Sequence, residues 1–382
     1  MKKWIAALLA LACVLSLCAC GGENTPAELN TTATDADKAA LDGVYANREA
    51  YHGQLHDHGD TGGTSDGHYT LRQLKENLRL KDMDFTDVAD HRQVLHMRLP
   101  EWDSSLFIGG SEAATTVAGI PDASQKEMHY NMMAVTPEAV EVVLNYSPTK
   151  YKYTDGHFKY PSFSKEELAQ IANILYEQGG LFVHVHPKGK SYVASDNPLD
   201  YWYADNTGME VLTGCYGNMS AEENADAYKL WTDLLAMGKK VWAMSGSDSH
   251  LRSDTHSLAT VYSDVKDAKN IFGYVRVGDV TAGPAGIRMA IGDTAMGGTT
   301  AFSGKRLVIS AGDFHSQEYK ANHTYEIRVY DDQGLLFTEK LSGTQTDYFA
   351  IDVQADAKFY RAEIYDATKG YIFAVGNPIW NG

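Results

Sequence analysis

Four cysteines in 382 residues exclude a disulfide-built fold, the more so because Cys13, Cys18 and Cys20 crowd the first twenty positions and Cys215 stands apart. Basic charge is scarce as well: 33 Lys and Arg against 50 Asp and Glu give a formal net charge of −17. Such a surface argues against nucleic acid as a partner, because phosphate backbones are gripped by Lys and Arg in excess. A small phosphate ester is not excluded, since bound cations reverse the sign of a local field. Long apolar runs are missing too: the one near the start, Trp4 to Leu17, is too short to span a bilayer comfortably. No internal repeat is visible by eye. Hydrophobic residues make up 44% and charged residues 22%, the proportions of a globular chain, and at about 100 to 200 residues per domain the length points to two domains.

The N-terminus does have a pattern. Lys2 and Lys3 precede the apolar run, and Leu17-Cys18-Ala19-Cys20-Gly21-Gly22 follows it, the layout of a secretory signal with a small-residue cleavage site. Leu17-Cys18-Ala19-Cys20 also resembles the bacterial lipobox, which implies cleavage before Cys20, lipidation of its thiol and an extracytoplasmic protein anchored to the cell membrane. An ordinary cleaved signal is the plainer alternative. Residues 1–19 are thus expected to be signal, and 20–40, rich in Gly, Thr, Ala, Asn and Asp, a flexible tether. Removing 1–19 takes the net charge to −19, and once Cys20 carries lipid Cys215 is left without an intramolecular disulfide partner.

From about residue 41 to 284 short apolar strands alternate with amphipathic helices, the pattern of a parallel sheet or barrel with helices outside. Ser164 with Glu167, and Ser220 with Glu223, predict capping boxes, with Gly179 and Gly238 at the stops; Thr136-Pro137 predicts a further helix start. Strands are expected at Gln54-His56, Phe85-Ala89, Leu181-Val185, Met209-Thr213, Val241-Ser245 and Ala259-Tyr262. After Gly283-Pro284 the helical period gives way to alternating runs such as Arg306-Ala311, Thr324-Tyr330, Tyr348-Val353, Phe359-Tyr365 and Tyr371-Val375, so 285–382 is expected to be a small antiparallel β-sandwich.

Twelve of the fourteen histidines lie between His52 and His256, several at predicted strand ends beside carboxylates. His56-Asp57-His58 follows a short strand, and residues i and i+2 of extended chain share a face and can reach one ion. Ser65-Asp66-Gly67 follows, then Asp90-His91, His184-Val185-His186-Pro187 and Ser247-Asp248-Ser249-His250, each of the last three closing a predicted strand, where barrel enzymes place catalytic groups.

On these motifs, over roughly residues 50 to 284, the sequence resembles the polymerase and histidinol phosphatase (PHP) superfamily of metal-dependent phosphoesterases. The resemblance implies a distorted, TIM-like barrel of seven strands and helices holding two or three divalent ions. It implies one ion at His56, His58, Glu112 and Asp248, a second at Asp66, His91 and His250, and a third at Glu112, His129 and His186. Nitrogen-rich sites with bridging carboxylates suit zinc, manganese or iron. Here the spacing from His58 to Ser65 is two residues longer than the family pattern, filled by Gly59-Asp60-Thr61-Gly62-Gly63, and Phe-Thr-Asp-Val-Ala precedes Asp90-His91 where a threonine is usual.

The expected activity is hydrolysis of a small phosphoester, with His250, His256 or Lys188 as candidates to serve the leaving oxygen and Asp248 at the reacting centre. A chain with an export signal and a C-terminal β domain is also similar to the carbaryl-hydrolase-like branch, which cleaves carboxyl ester or carbamate bonds with the same ligands. A tethered lipoprotein that binds metal or ligand without catalysis is the third reading. His184, on the face of His186, reads as a core or supporting histidine, Glu210 as a hydrogen-bond partner of a nearby histidine, and His52, His68, His96 and His157 as surface residues. Cys215 has no paired base to make it a nucleophile.

Overall fold

Hydroxyl residues start helices by one repeated device. Thr34 opens α1 (Asp35–Val44) and Thr70 opens α2 (Leu71–Lys81), each accepting the N–H three residues on while that residue's side chain returns to the cap's own N–H. Pro137 lies in the first turn of α3 (Pro137–Leu144), though the Thr136 hydroxyl makes no capping bond. Ser164 and Ser220 form the expected boxes for α4 (Lys165–Glu177) and α5 (Ala221–Ala236), which end before Gly179 and Gly238, both at positive φ. Asp267 caps α6 (Ala268–Val275). In this computed structural model the described residues are 29–118, 120, 127–146, 153–154, 157–158, 161–189, 195–214, 220–251 and 257–382. Cys20, Cys215 and His256 lie outside them. Contacts divide the chain into Met1–Thr31 and Thr32–Gly382, and the fold that follows is that of the second unit.

Helix α1 corrects the expectation of a tether to residue 40. Its overlooked signal is the Thr34/Asp37 box, and packing holds it: Leu41 is buried with Tyr45, Tyr262, Val308 and Ala350, and Asp37 pairs with Arg306 at 3.0 Å.

Strands β1 (Glu49–Gln54), β2 (Phe85–Val88) and β3 (Phe107–Gly109) pair in parallel. A second sheet takes β4 (Glu112–Val117) and β5 (Met128–Met133) and, after the short hairpin β6–β7 (Tyr153–Thr154 and His157–Phe158), β8 (Ser162–Phe163), β9 (Leu181–Val185), β10 (Thr207–Thr213) and β11 (Val241–Gly246), in the order β11-β10-β9-β5-β4-β8. Every residue of β9 and β11 is buried, the composition of strands covered on both faces. Helix α5 covers this sheet with Leu230, Trp231, Leu234 and Leu235, and the Trp231 Nε1–H donates to Val241 O at 2.9 Å. Each such side chain withdrawn from water contributes about 1.5–3 kcal/mol.

These two sheets carry the site. Among the described residues they meet through single bridges, Asp57 with Ser249 in parallel and Gly109 with Ala134 antiparallel. Strand β5 departs from the parallel order expected of this region, running antiparallel to both β4 and β9. The protein is therefore an α/β chain with mixed sheets.

Strand β12 (Ala259–Ser263) pairs antiparallel with β1, and β13 (Thr281–Ala282) pairs with β12. Beyond them β14 (Gly286–Ile291), β15 (Thr294–Ala295), β16 (Thr299–Thr300), β17 (Arg306–Gly312), β18 (Tyr325–Asp331), β19 (Gly334–Lys340), β20 (Asp347–Asp352), β21 (Phe359–Asp366), β22 (Tyr371–Gly376) and β23 (Ile379–Asn381) follow the alternating runs of the sequence. One four-stranded sheet, β15-β14-β17-β20, shares an apolar cluster with β18, β21 and β22, with Ile287, Ile309 and Ile351 on one side and Ile327, Ile364 and Phe373 on the other. Because β22 pairs with β13, the first sheet runs on into these strands. Asn377 fastens the same junction: its amide bonds the Ala243 N–H at 2.6 Å and the carbonyls of Ala243 and Val280, each at 3.1 Å.

Candidate metal centre

Four strand ends deliver most of the candidate ligands. Past β1 the chain bends at Leu55, and His56 and His58 then flank the bridged Asp57 with their Nε2 atoms 3.2 Å apart, within reach of one ion as the i and i+2 spacing predicts. Main-chain bonds lock this end to its neighbours: Ala89 N–H to Asp57 O at 2.8 Å, His58 N–H to Ser249 O at 3.0 Å and Asp248 N–H to His56 O at 2.9 Å. His91 follows β2, His186 follows β9, and Asp248 and His250 follow β11; Glu112 opens β4 and His129 lies in β5. His186 and Asp248 stand at φ 32° and 50°, a region that costs a non-glycine residue on the order of 1–3 kcal/mol and is found where function holds it.

Six imidazoles and three carboxylates converge as three groups: His58, Asp66, His91 and His250; His56, His58, Glu112 and Asp248; Glu112, His129 and His186. In each group one ligand atom per residue lies within 4.8 Å of the others. Glu112 joins two of them. Its Oε1 faces His129 Nδ1 at 2.7 Å and His186 Nε2 at 3.0 Å, while Oε2 faces His58 Nε2 at 3.3 Å, His91 Nδ1 at 3.4 Å and His56 Nε2 at 3.6 Å. Asp248 Oδ1 is 3.2 Å from His58 Nε2 and 3.6 Å from His56 Nε2. Asp66 reaches His91 Nε2 at 3.2 Å, His250 Nε2 at 3.4 Å and His58 Nδ1 at 3.6 Å.

The electrostatics call for cations. Burial pulls the His58 imidazolium down, but hydrogen bonds to Asp248 and Glu112 outweigh it and push its pKa up to about 10. Burial likewise opposes charge on His129, and Glu112 overrides it, raising the pKa to about 9. Burial works against the Glu112 carboxylate too, and the surrounding imidazoles, His129 foremost, still hold it well below its ordinary range. The donor set fits divalent metal: nitrogen and oxygen ligands, a bridging carboxylate, two imidazole nitrogens in contact, and buried Nδ1 atoms of His58 and His91 with no hydrogen-bond partner.

A second layer orients the first. His56 Nδ1 bonds Glu210 Oε1 at 2.9 Å, which leaves Nε2 for the centre, and Glu210 Oε2 accepts the His186 N–H at 2.9 Å and the Thr213 hydroxyl at 3.1 Å. Glu210 thus has the hydrogen-bonding place expected of it. The His250 Nδ1 lies 3.1 Å from Asp248 O, so its N–H points there and Nε2 turns toward Asp66. Asp57, the middle residue of the His-x-His run, faces away and accepts the hydroxyls of Thr86 at 2.9 Å and Ser247 at 2.6 Å.

The remaining histidines divide. His184 is buried among Tyr130, Tyr201 and Tyr203, and burial, reinforced by His186, lowers its pKa to about 3. His68 is exposed, and the His157 side chain is outside the description. His96 corrects the surface reading: it is fully buried, with Nδ1 3.4 Å from Asp90 Oδ2. A turn of 3-10 helix at Leu95–Arg98 turns it inward, and Val94 and Met97 on either side, both buried, were the available signal. His52 is mostly enclosed, its Nδ1 3.0 Å from Thr260 Oγ1.

Lys188 sits elsewhere. Its ammonium donates to Ser195 O at 2.9 Å and the Tyr201 hydroxyl at 3.3 Å, beside a separate polar cavity of about 240 Å³ that Asp196, Asp226, Lys229 and Asp233 help line. Sequence reasoning placed Asp90 only beside the candidate ligand His91 and missed Gln93 and Thr61; the side chains of all three hold the loop that carries Asp66. The five residues Gly59 to Gly63 marked that loop as longer, but nothing in their order names its partners.

No family model matches the chain, and no curated protein does. Several solved structures are similar. A two-domain protein of Bacteroides vulgatus containing a predicted PHP-like metal-dependent phosphoesterase is 12% identical, with 88% of this chain and 95% of that one covered and a TM-score of 0.38. A proposed metal-dependent phosphoesterase of Bifidobacterium adolescentis is 14% identical, covering 53% of this chain and 88% of that one, with a TM-score of 0.36. An amidohydrolase of Chromobacterium violaceum, solved with sulfate and no metal, is 15% identical, covering 52% and 87%, with a TM-score of 0.36.

Proposed function

We propose that this chain is a metal-dependent hydrolase, and that its substrate is a small phosphoester outside the cytoplasm. The observation that carries the reading is the convergence of nine candidate ligand side chains in three adjoining groups, two of them sharing Glu112 and two sharing His58. Two or three divalent ions, zinc, manganese or iron, would supply a nucleophile from water near neutral pH and neutralise phosphoryl oxygens. His56, fixed by Glu210, and Asp248 present lone pairs to the buried side of the centre. Asp66, His91 and His250 form its open edge, with side chains 50%, 16% and 17% exposed, and substrate approaches there. Of the groups proposed to serve the leaving oxygen, His250 stands at that edge, while the bonds of Lys188 turn it toward Ser195 and Tyr201.

In this reading residues 41–284 act as a distorted seven-stranded barrel and 285–382 as an antiparallel sandwich, with export and a lipid at Cys20 placing both at the membrane. A panel of chromogenic phosphomonoesters, phosphodiesters, carboxylate esters and carbamates tests it, with and without chelator. Phosphate ester turnover abolished by chelation and restored by added zinc or manganese is expected. Flat phosphate turnover beside rapid carboxylate or carbamate hydrolysis would move the substrate to the other ester class, and phosphatase activity untouched by chelation would end the metal-dependent reading.

A further inference from the structure

Asp66 is the most exposed of the nine ligands and sits on the least regular backbone. Its side chain is half exposed, and residues 59–69 belong to no helix or strand, yet its two oxygens meet three imidazoles within 3.2–3.6 Å. A loop free to move would not hold that geometry, so something fixes it. We infer that Asp90 and Gln93 are positioning residues that clamp the loop of residues 59–65 and so deliver Asp66 to the ion it shares with His58, His91 and His250. This rests on the metal-centre reading above.

Four side-chain bonds form the clamp. The Asp90 carboxylate, fully buried, accepts the Gly59 N–H at 2.7 Å and the Thr61 hydroxyl. Gln93 Nε2 donates to Gly62 O at 2.7 Å, and the Thr64 hydroxyl donates to His91 O. Buried His96 backs the Asp90 carboxylate at 3.4 Å. Gly63 makes the fit possible: at φ 67°, a Cβ there would lie 2.1 Å from Gln93 Oε1. Because Asp90 and Gln93 flank His91, the loop and that ligand move as one piece. Further along, the Asp60 N–H donates to Tyr69 O at 2.8 Å and the His68 N–H to His250 O at 2.7 Å, so with the Thr64 tie to His91 O the segment carrying Asp66 is held between the backbones of His91 and His250. Partners that orient a ligand commonly change metal affinity 10- to 100-fold when removed.

The test uses a Thr61→Val/Gln93→Ala variant, which cuts two ties and touches no ligand, with Asp66→Ala for comparison. Bound metal is measured by elemental mass spectrometry after dialysis against buffered free zinc or manganese, alongside thermal unfolding. The inference expects the Kd of the weakest ion to rise at least about tenfold, toward that of Asp66→Ala, with the other ions held as in wild type. If the double variant does not fold, Gln93→Ala alone carries the same expectation. Wild-type affinity for every ion in a folded variant would overturn the clamp while leaving the metal centre standing. Equal weakening of every ion would overturn it too, since that is loss of general stability. Absence of metal from wild type would overturn both.

Discussion

His56 and Glu210, 154 positions apart in sequence, meet through Nδ1 and Oε1 at 2.9 Å, and the other oxygen of Glu210 holds the backbone N–H of His186. One carboxylate on β10 therefore sets the ring of a ligand from β1 and the main chain of a ligand from β9. Glu210→Ala should weaken metal binding about 10- to 100-fold, and Glu210→Gln, which keeps an acceptor, should weaken it less. Competition with a chromogenic chelator measures both, and wild-type retention in Glu210→Ala would remove the orienting role.

Gly67 lies against the backbone of His58, where an added Cβ would sit 2.3 Å from the carbonyl oxygen and 2.4 Å from its carbon. Main chain cannot swing aside as a side chain does, so Gly67→Ala should cost about 1–3 kcal/mol and loosen the Asp66 ion. Gly43 in α1 is the internal control. A Cβ there meets nothing within 4 Å, and Gly43→Ala should raise stability by about 0.5–1 kcal/mol. Thermal denaturation of the two variants should therefore shift in opposite directions.

Acid should destabilise the protein through histidines buried uncharged. Burial, reinforced by His315, lowers the His52 pKa to about 4. In the unfolded chain this group takes up its proton near pH 6.5, so between about 6.5 and 4 the unfolded state binds more protons and stability falls as pH falls. His184, lowered to about 3, acts in the same direction. His52→Gln should reduce the slope of unfolding free energy against pH by up to one proton, about 1.4 kcal/mol per pH unit, in urea titrations over that window. An unchanged slope would show that His52 charges freely in the folded state.

Much of the centre was legible because its ligands follow strands in order. The i and i+2 pair His56 and His58, and the Asp-His, His-Pro and Asp-x-His runs, are local patterns, and their local geometry survives folding. Helices α4 and α5 were legible for the same reason, since a capping box is written within four residues. What escaped is non-local. The antiparallel turn of β5 between β4 and β9 depends on pairings made across the sheet, and the continuation of β13 into β22 joins residues almost a hundred positions apart. His96 escaped because, although Val94 and Met97 beside it hint at burial, nothing local announces the buried Asp90 it faces.

Lipid attachment at Cys20 is a separate claim with its own readout. Cells expressing the full chain and fed a labelled fatty acid should label the wild type and not Cys20→Ser, and the variant should leave the membrane fraction. Equal labelling of both would place the lipid elsewhere or remove it from the account.

The most direct test of the central claim is metal content per chain in residues 21–382, by elemental mass spectrometry, for the wild type and for His56→Ala/His58→Ala. Those two rings belong to two of the three ligand groups and share Asp248 and Glu112 with each other. Two or three zinc, manganese or iron ions in the wild type, falling by at least one in the double variant while the protein stays folded, is the predicted result. Folded wild type without stoichiometric metal would contradict it and leave a protein that resembles metal-dependent hydrolases in fold only.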